Sequence, residues 1–292
     1  MRGNPESHEL IGATSLSEVL AQLIASPGTW TPIAGGTELM VAHAAGRLNA
    51  PKLINLWGLP ELNFIHVNDS SIAIGGGVTF GQIRRHETIA SDFPLLSKAA
   101  SWIGSIANQS RATVGGNLVN GSPAADSSPA LLVYDAEVEL ISARGSRRIP
   151  YSEFHTGYKR NAMAPDELLF AVHLPLRFAR HRQYLRKVGT RRAMAISKVA
   201  LAGTATVEKG VVSELRLAAA SLAPFPVRLY KTETALLGKP INSSTIQSAR
   251  EALLAEAKPI DDIRSTSEYR KRVAANLLEE FLVELRSESP PK

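Results

Sequence analysis

Apolar residues recur along this chain with two different periods, and the switch between them lays out its elements. Leu16, Val19, Leu20 and Leu23 stand at helical spacing within residues 15–25, with Thr14 or Ser15 placed to cap the helix start. Ser26-Pro27-Gly28 breaks that helix, and a β-prone run over 29–34 enters Gly35-Gly36. A short helix over 38–45 and a strand over 52–56 complete a small βαβ-like unit with a glycine turn after its first strand. Phe64-Ile65-His66-Val67 and Ser71-Ile72-Ala73-Ile74 flank Asn68-Asp69-Ser70 and predict a β-hairpin, closed by Gly75-Gly76-Gly77. Residues 80–88 and 94–106 read as helices. Val138 and Leu140 alternate with Glu137 and Glu139 in a strand that turns at Arg144-Gly145 and returns through 147–149. A last strand, 168–174, runs into Pro175.

The short basic stretch 176–181 reads as a domain boundary. Beyond it, 184–188, 197–207 and 212–221 suggest three strands, with Glu208-Lys209-Gly210 as a hairpin turn. Helical periodicity then takes over at 243–256 and 265–285. Ser265 is the expected cap of the second helix, with Glu268 three residues on as its capping-box partner. The division is therefore 1–178, itself split into 1–57 and 58–178, then 179–286, then a polar, proline-rich tail at 287–292. No internal repeat is visible.

Composition narrows the chemistry. The 292 residues include no cysteine, which excludes disulfides, thiolate metal sites, cysteine nucleophiles and all-cysteine iron–sulfur clusters. An electron-transfer role would need an organic cofactor or a partner chain. The net charge of +6 is spread thinly, and its densest stretch carries Arg177, Arg180, His181, Arg182, Arg186, Lys187, Arg191, Arg192 and Lys198. Only Phe178 and Tyr184 interleave there, too little for a nucleic-acid surface, so a solvated face is the simpler reading. No apolar run is long enough for a membrane span, and Met1 to Glu9 lacks the apolar stretch of a signal peptide, so the expectation is a cytoplasmic protein.

Two glycine turns carry the candidate chemistry. In Ile33-Ala34-Gly35-Gly36-Thr37-Glu38-Leu39 a strand feeds two glycines and then a helix, which bares backbone N–H groups to an anion such as a pyrophosphate. Thr113-Val114-Gly115-Gly116-Asn117-Leu118, followed by Gly121-Ser122-Pro123-Ala124-Ala125-Asp126, repeats the theme, with Asp126 offering a carboxylate to a sugar hydroxyl. Alone, the first turn reads more readily as an ordinary strand-to-helix turn, and the second can be a loop held by Asn117 and Asp126 turn bonds; the pair raises dinucleotide binding to parity with that reading. G-x-G-x-x-G, Walker, H-E-x-x-H and G-x-S-x-G motifs are absent, and the seven histidines include no close pair at metal-ligand spacing. His155 and His173 read as structural. No metal site is expected in this chain.

In order and spacing these pieces resemble the FAD-binding medium subunit of the molybdenum hydroxylases, the xanthine dehydrogenase and carbon monoxide dehydrogenase group. The likeness rests on Ala34-Gly35-Gly36-Thr37, on the Thr113 and Ser122-Pro123-Ala124-Ala125-Asp126 segments, and on Asp135-Ala136-Glu137-Val138. It continues through Phe154-His155-Thr156-Gly157, Lys187-Val188-Gly189-Thr190-Arg191-Arg192-Ala193-Met194-Ala195-Ile196, and Asp262-Ile263-Arg264-Ser265 followed by Glu268-Tyr269-Arg270. It spans nearly the whole chain, and the Phe154 segment is most similar to the bacterial xanthine dehydrogenase branch.

The resemblance implies an α+β fold: a two-subdomain FAD-binding domain of the vanillyl-alcohol-oxidase (PCMH) type, then a C-terminal domain of small antiparallel sheet and helices like that of the carbon monoxide dehydrogenase flavoprotein. It implies one non-covalent FAD, with Ile33, Ala34, Gly35, Gly36, Thr37, Glu38, Leu39 and Met40 wrapping the pyrophosphate, mostly through backbone N–H groups. Thr113, Gly116 and Asn117 would form a second phosphate-facing loop, and Asp126 would bond a hydroxyl of FAD. Ile103, after Trp102, would take the place of an aromatic contact, Leu169 would pack on the adenine or flavin side, and Lys187 would sit near the isoalloxazine ring. Molybdopterin and [2Fe–2S] clusters would belong to partner chains, a large and a small subunit, in a dimer of heterotrimers that delivers electrons to NAD or another acceptor. The absence of cysteine excludes the branch with an additional cluster in this subunit. The alternatives are a medium subunit of a carbon monoxide, aldehyde or N-heterocycle dehydrogenase, or an independent flavin-dependent oxidoreductase.

Overall fold

The computed structural model describes residues 3–191 and 193–287; Arg192 of the basic stretch and all of the tail beyond residue 287 lie outside the described residues. The chain opens with strand β1 (Glu9–Gly12), helix α1 (Leu16–Ala25), β2 (Thr31–Ile33), α2 (Leu39–Ala44) and β3 (Lys52–Asn55). The three strands form a parallel sheet in the order β1-β3-β2. Of the two candidate caps Ser15 is the one that caps α1, accepting the Glu18 N–H at 3.2 Å, while the Glu18 carboxylate accepts the Thr14 N–H at 2.8 Å. The four residues at helical spacing are the ones α1 buries, against Ile54, Leu59, Leu62 and Leu168. β1 itself carries no periodic signal, because it is an edge strand with little burial.

The second sheet is antiparallel. β4 (Ile65–Val67) and β5 (Ser71–Gly75) form the expected hairpin. Six short helices follow: α3 (Phe80–Arg85), α4 (Glu87–Asp92), α5 (Pro94–Trp102), α6 (Ile106–Gln109), α7 (Val114–Asn120) and α8 (Ser128–Val133). The chain then returns through β6 (Glu137–Ser142), β7 (Gly145–Pro150), a small hairpin of β8 (His155–Gly157) and β9 (Arg160–Asn161), and β10 (Leu168–Pro175). The sheet order is β4-β5-β10-β6-β7. The helix expected over 94–106 stops at Trp102, because Ile103 is extended and Gly104 adopts φ +53°. The second glycine segment is also not a free loop. It is α7, with the Thr113 hydroxyl accepting the Gly116 N–H as its cap and Gly121 ending it at φ +60°.

The C-terminal part has β11 (Arg182–Val188), β12 (Val199–Glu208), β13 (Val211–Ala220) and β14 (Val227–Arg228) in one antiparallel sheet, then α9 (Tyr230–Leu236), α10 (Ser243–Glu256) and α11 (Ser267–Ser287). The sheet is covered on both faces. Leu185, Ala202 and Ala218 join the core of the preceding domain, while Tyr184, Leu201 and Leu217 pack with α10 and α11. Seven successive residues of β12 are buried in consequence, and at Gly203 a Cβ would stand 2.4 Å from the Phe281 ring. The cap of α11 is shifted by one residue from expectation: Thr266, not Ser265, accepts an N–H three residues on, from Tyr269 at 3.2 Å. Ser265 is instead paired with Asp262 in the turn before the helix.

Candidate functional site: the interdomain cleft

A cleft of about 610 Å³ lies between the small parallel sheet and the larger antiparallel subdomain. Such a volume suits a bound nucleotide-sized ligand. Its first wall is the turn after β2, where Ile33, Ala34, Gly35, Gly36, Thr37, Glu38 and Leu39 all face the cavity. Glycine is required there for two reasons. Gly36 adopts φ +73°, and a Cβ on Gly35 would lie 1.7 Å from the Arg111 carbonyl oxygen, so the turn presses backbone to backbone against the residue before Ala112. The second wall is α7 and the segment before it, with Thr113, Gly116 and Asn117 facing the cavity. Asn117 Oδ1 accepts the Ser127 hydroxyl at 2.7 Å, which leaves the amide N–H groups as donors. Ile103 and Leu169 also line the cleft.

Met40, Asp126 and Lys187 do not line the cavity. Met40 is on α2 and half exposed. Lys187 Nζ is 2.6 Å from Asp126 Oδ2, with 9% and 11% of the two side chains exposed, and Ser197 Oγ donates to Asp126 Oδ1 at 2.5 Å. Burial pushes the Asp126 carboxyl up from its usual range, and Lys187 with Ser197 pulls it back only in part. The pair is tied to the cleft wall: Lys187 Nζ also donates to the Trp102 carbonyl at 3.4 Å, one residue before the lining Ile103.

Other lining residues were not legible as site residues. Gly76 and Gly77 form part of the wall; Gly76 N–H donates to Phe170 at 2.6 Å and its carbonyl accepts the Gly115 N–H at 2.8 Å, binding both sides together. Their signal was the run Gly75-Gly76-Gly77, which fits no dinucleotide fingerprint. Asn161 and Glu167 line the floor. Glu167 receives Arg147 Nε at 2.7 Å, Arg147 Nη2 at 2.8 Å and the Ala164 N–H at 2.7 Å, and the guanidinium foremost holds its carboxyl below the usual range. His155 is buried; its Nε2 meets the Tyr151 hydroxyl at 3.1 Å and burial lowers its pKa to about 4, so it is a neutral structural group.

The acidic segments at Asp135 and Asp262, outside the cleft, are joints. Asp135, at φ +48°, receives Arg177 at 2.5 Å, Arg216 at 3.1 Å and Arg228 at 2.6 Å, tying the two domains. Asp262 receives the buried Arg270 at 2.7 Å, and Arg270 also donates to the Lys198 carbonyl at 2.7 Å. Among the described residues, no group of three or more His, Cys, Asp or Glu is placed to hold a metal ion, and no helix is long and apolar enough to cross a membrane.

A two-subdomain cleft walled by glycine turns, joined to an antiparallel sheet under helices, defines a protein that holds a nucleotide-sized ligand between its subdomains. Residues 6–177 match the family described as the FAD binding domain in molybdopterin dehydrogenase, and residues 184–285 match the CO dehydrogenase flavoprotein C-terminal domain. The chain belongs to this family of FAD-binding medium subunits of molybdenum hydroxylases. It is similar to the xanthine dehydrogenase FAD-binding subunit of Escherichia coli, 32% identical over 254 residues that cover 86% of this chain and 87% of that one. It is also similar to the nicotinate dehydrogenase FAD-subunit of Eubacterium barkeri, 30% identical over 258 residues, 87% of each chain. Its fold matches that of a chain of the carbon monoxide dehydrogenase from Hydrogenophaga pseudoflava with a TM-score of 0.90, at 24% identity, covering 95% of this chain and 96% of that one.

Proposed function

We propose that this chain holds non-covalent FAD as the electron-transfer group of a cytoplasmic, xanthine dehydrogenase-like complex, between iron–sulfur clusters on a small partner subunit and NAD or another acceptor. Molybdopterin, and with it the choice of substrate, belongs to a large partner subunit; the assembly is a dimer of heterotrimers. When bound, FAD supplies one- and two-electron redox chemistry, and the protein supplies binding, orientation and electrostatics. The observation that carries this reading is the cleft itself: its lining brings together the two glycine segments, Ile103 and Leu169 from four separate stretches of chain. The backbone of residues 33–39 binds the pyrophosphate, with Met40 steadying the turn from α2. Thr113, Gly116 and Asn117 face it from α7, and Asp126 and Lys187 act from outside the cavity by holding the turn that presents Ile103.

The chain on its own is then expected to carry flavin absorbance and no substrate hydroxylation. Co-purification from its host tests this, with molybdenum, iron and flavin measured in the isolated complex. A homogeneous single chain with full dehydrogenase activity would overturn the subunit reading and favour an independent flavin-dependent oxidoreductase. That second reading needs an acid or base beside the cofactor. Among the described residues the charged lining residues are Glu38 and Glu167, and Glu167 is already engaged by Arg147.

A further inference from the structure

The cleft offers a diphosphate backbone N–H groups, while among the described residues its charged lining side chains are two carboxylates, Glu38 and Glu167, with no Lys, Arg or His to balance them. Glu167 is neutralised from behind by Arg147. Glu38 stands on the glycine turn itself, and its partner is Lys159, whose Nζ lies 3.6 Å from Oε1. This pair joins the two subdomains: Glu38 precedes α2 in the small one, and Lys159 is at the tip of the β8–β9 hairpin in the larger one. Both side chains are about half exposed, 59% and 47%, so the pair is weak and readily exchanged for a better partner.

The hairpin tip is held more firmly than its ammonium. Lys159 adopts φ +51°, a left-handed conformation, and its Cα comes within 3.2 Å of where a Cβ on Gly121 would stand. The tip therefore rests on the bare backbone that ends α7, and Asn161, two residues on, lines the cleft. Arg111, the other cation touching the glycine turn, is committed: its guanidinium stacks on Trp57 at 3.9 Å and its Nε donates to the Gly35 carbonyl at 3.3 Å.

We propose that Lys159, which stands outside the cleft lining but is paired with Glu38 on it, is a cofactor-binding residue: its ammonium turns from Glu38 to the diphosphate of FAD and straps the two subdomains together across the bound cofactor. The proposal rests on the FAD reading of the cleft. It makes Lys159 a selector for phosphate-bearing flavins, since riboflavin offers the ammonium nothing.

The test titrates the deflavinated full chain, carried in the complex with which it purifies, with FAD and with riboflavin. Lys159→Gly removes the ammonium and suits the left-handed backbone, so it folds; Lys159→Arg keeps the charge. Charge-assisted contacts of this kind set the scale: Lys159→Gly weakens FAD about tenfold and flattens the salt dependence of its affinity, with riboflavin unchanged. Lys159→Arg restores FAD binding, and Glu38→Gln tightens it. Unchanged FAD affinity in Lys159→Gly overturns the proposal, as does an equal loss for riboflavin, which would make the hairpin tip part of the wall only. FAD binding by the unaltered chain reports separately on the cleft reading itself.

Discussion

Lys187 and Asp126, 61 residues apart in sequence, meet as a buried ion pair at 2.6 Å between the C-terminal sheet and the segment after α7. Removing one partner leaves the other charge buried and uncompensated, which is costly, whereas replacing both with apolar groups is not. Lys187→Met alone should destabilise the protein by about 3 kcal/mol. The double variant Lys187→Met/Asp126→Leu should recover much of that loss, as read from denaturant midpoints in a double-mutant cycle. Equal destabilisation by the single and double variants would show that the pair contributes only packing.

Gly35 and Gly116 both line the cleft and should fail in different ways. A Cβ at Gly35 collides with the Arg111 carbonyl, whereas at Gly116 the nearest atom is the Thr113 hydroxyl at 3.1 Å. Gly35→Ala is expected to lower stability by about 3 kcal/mol and to lose FAD through distortion of the turn. Gly116→Val should lose FAD with a much smaller change in Tm. Thermal melts with flavin occupancy measured on the same samples separate the two.

Burial of His155 sets a pH dependence. Its pKa of about 4 in the folded state lies below its usual value of 6.5, so the unfolded chain binds the extra proton between those limits. Stability from this group is fully present above about pH 6.5 and is lost progressively as pH falls towards about 4, to a total of about 3 kcal/mol. The difference in unfolding free energy between the unaltered chain and His155→Phe should shrink accordingly across that window in urea titrations. A difference independent of pH would mean that the imidazole charges freely in place.

Asp135 is a third point of attack. Asparagine tolerates its left-handed backbone, so Asp135→Asn changes charge with little strain. Arg228, 9% exposed, would keep only Glu233 among its carboxylate partners. A loss of about 2 kcal/mol is expected from urea unfolding. No loss would assign Asp135 to the turn rather than to the domain joint.

The parts of the site legible in sequence are those governed by local chemistry. Gly35-Gly36 and the Thr113 segment announce themselves because glycine and cap residues state a backbone requirement at the position where they stand. The α7 helix is not legible in the sequence because two of its seven residues, Gly115 and Gly116, are poor helix formers; its place is set by the Gly115 contact with Gly76. Lys187 shows the same limit from the other side. Its motif was recognisable, but a strand pattern cannot say that Asp126 would meet it across the domain joint. Nor could Gly76 and Gly77 be assigned to the cleft before β5 was seen to end at its wall.

The C-terminal sheet has a consequence for the chain as an object of inheritance and engineering. Leu185, Ala202 and Ala218 complete the core of the first domain, so that core is unfinished at residue 181. Two matched families meet in this chain, yet a cut between them would bare an oily seam on each half. The halves should melt together in one calorimetric peak, and grafting either onto a foreign partner would require carrying its neighbour along.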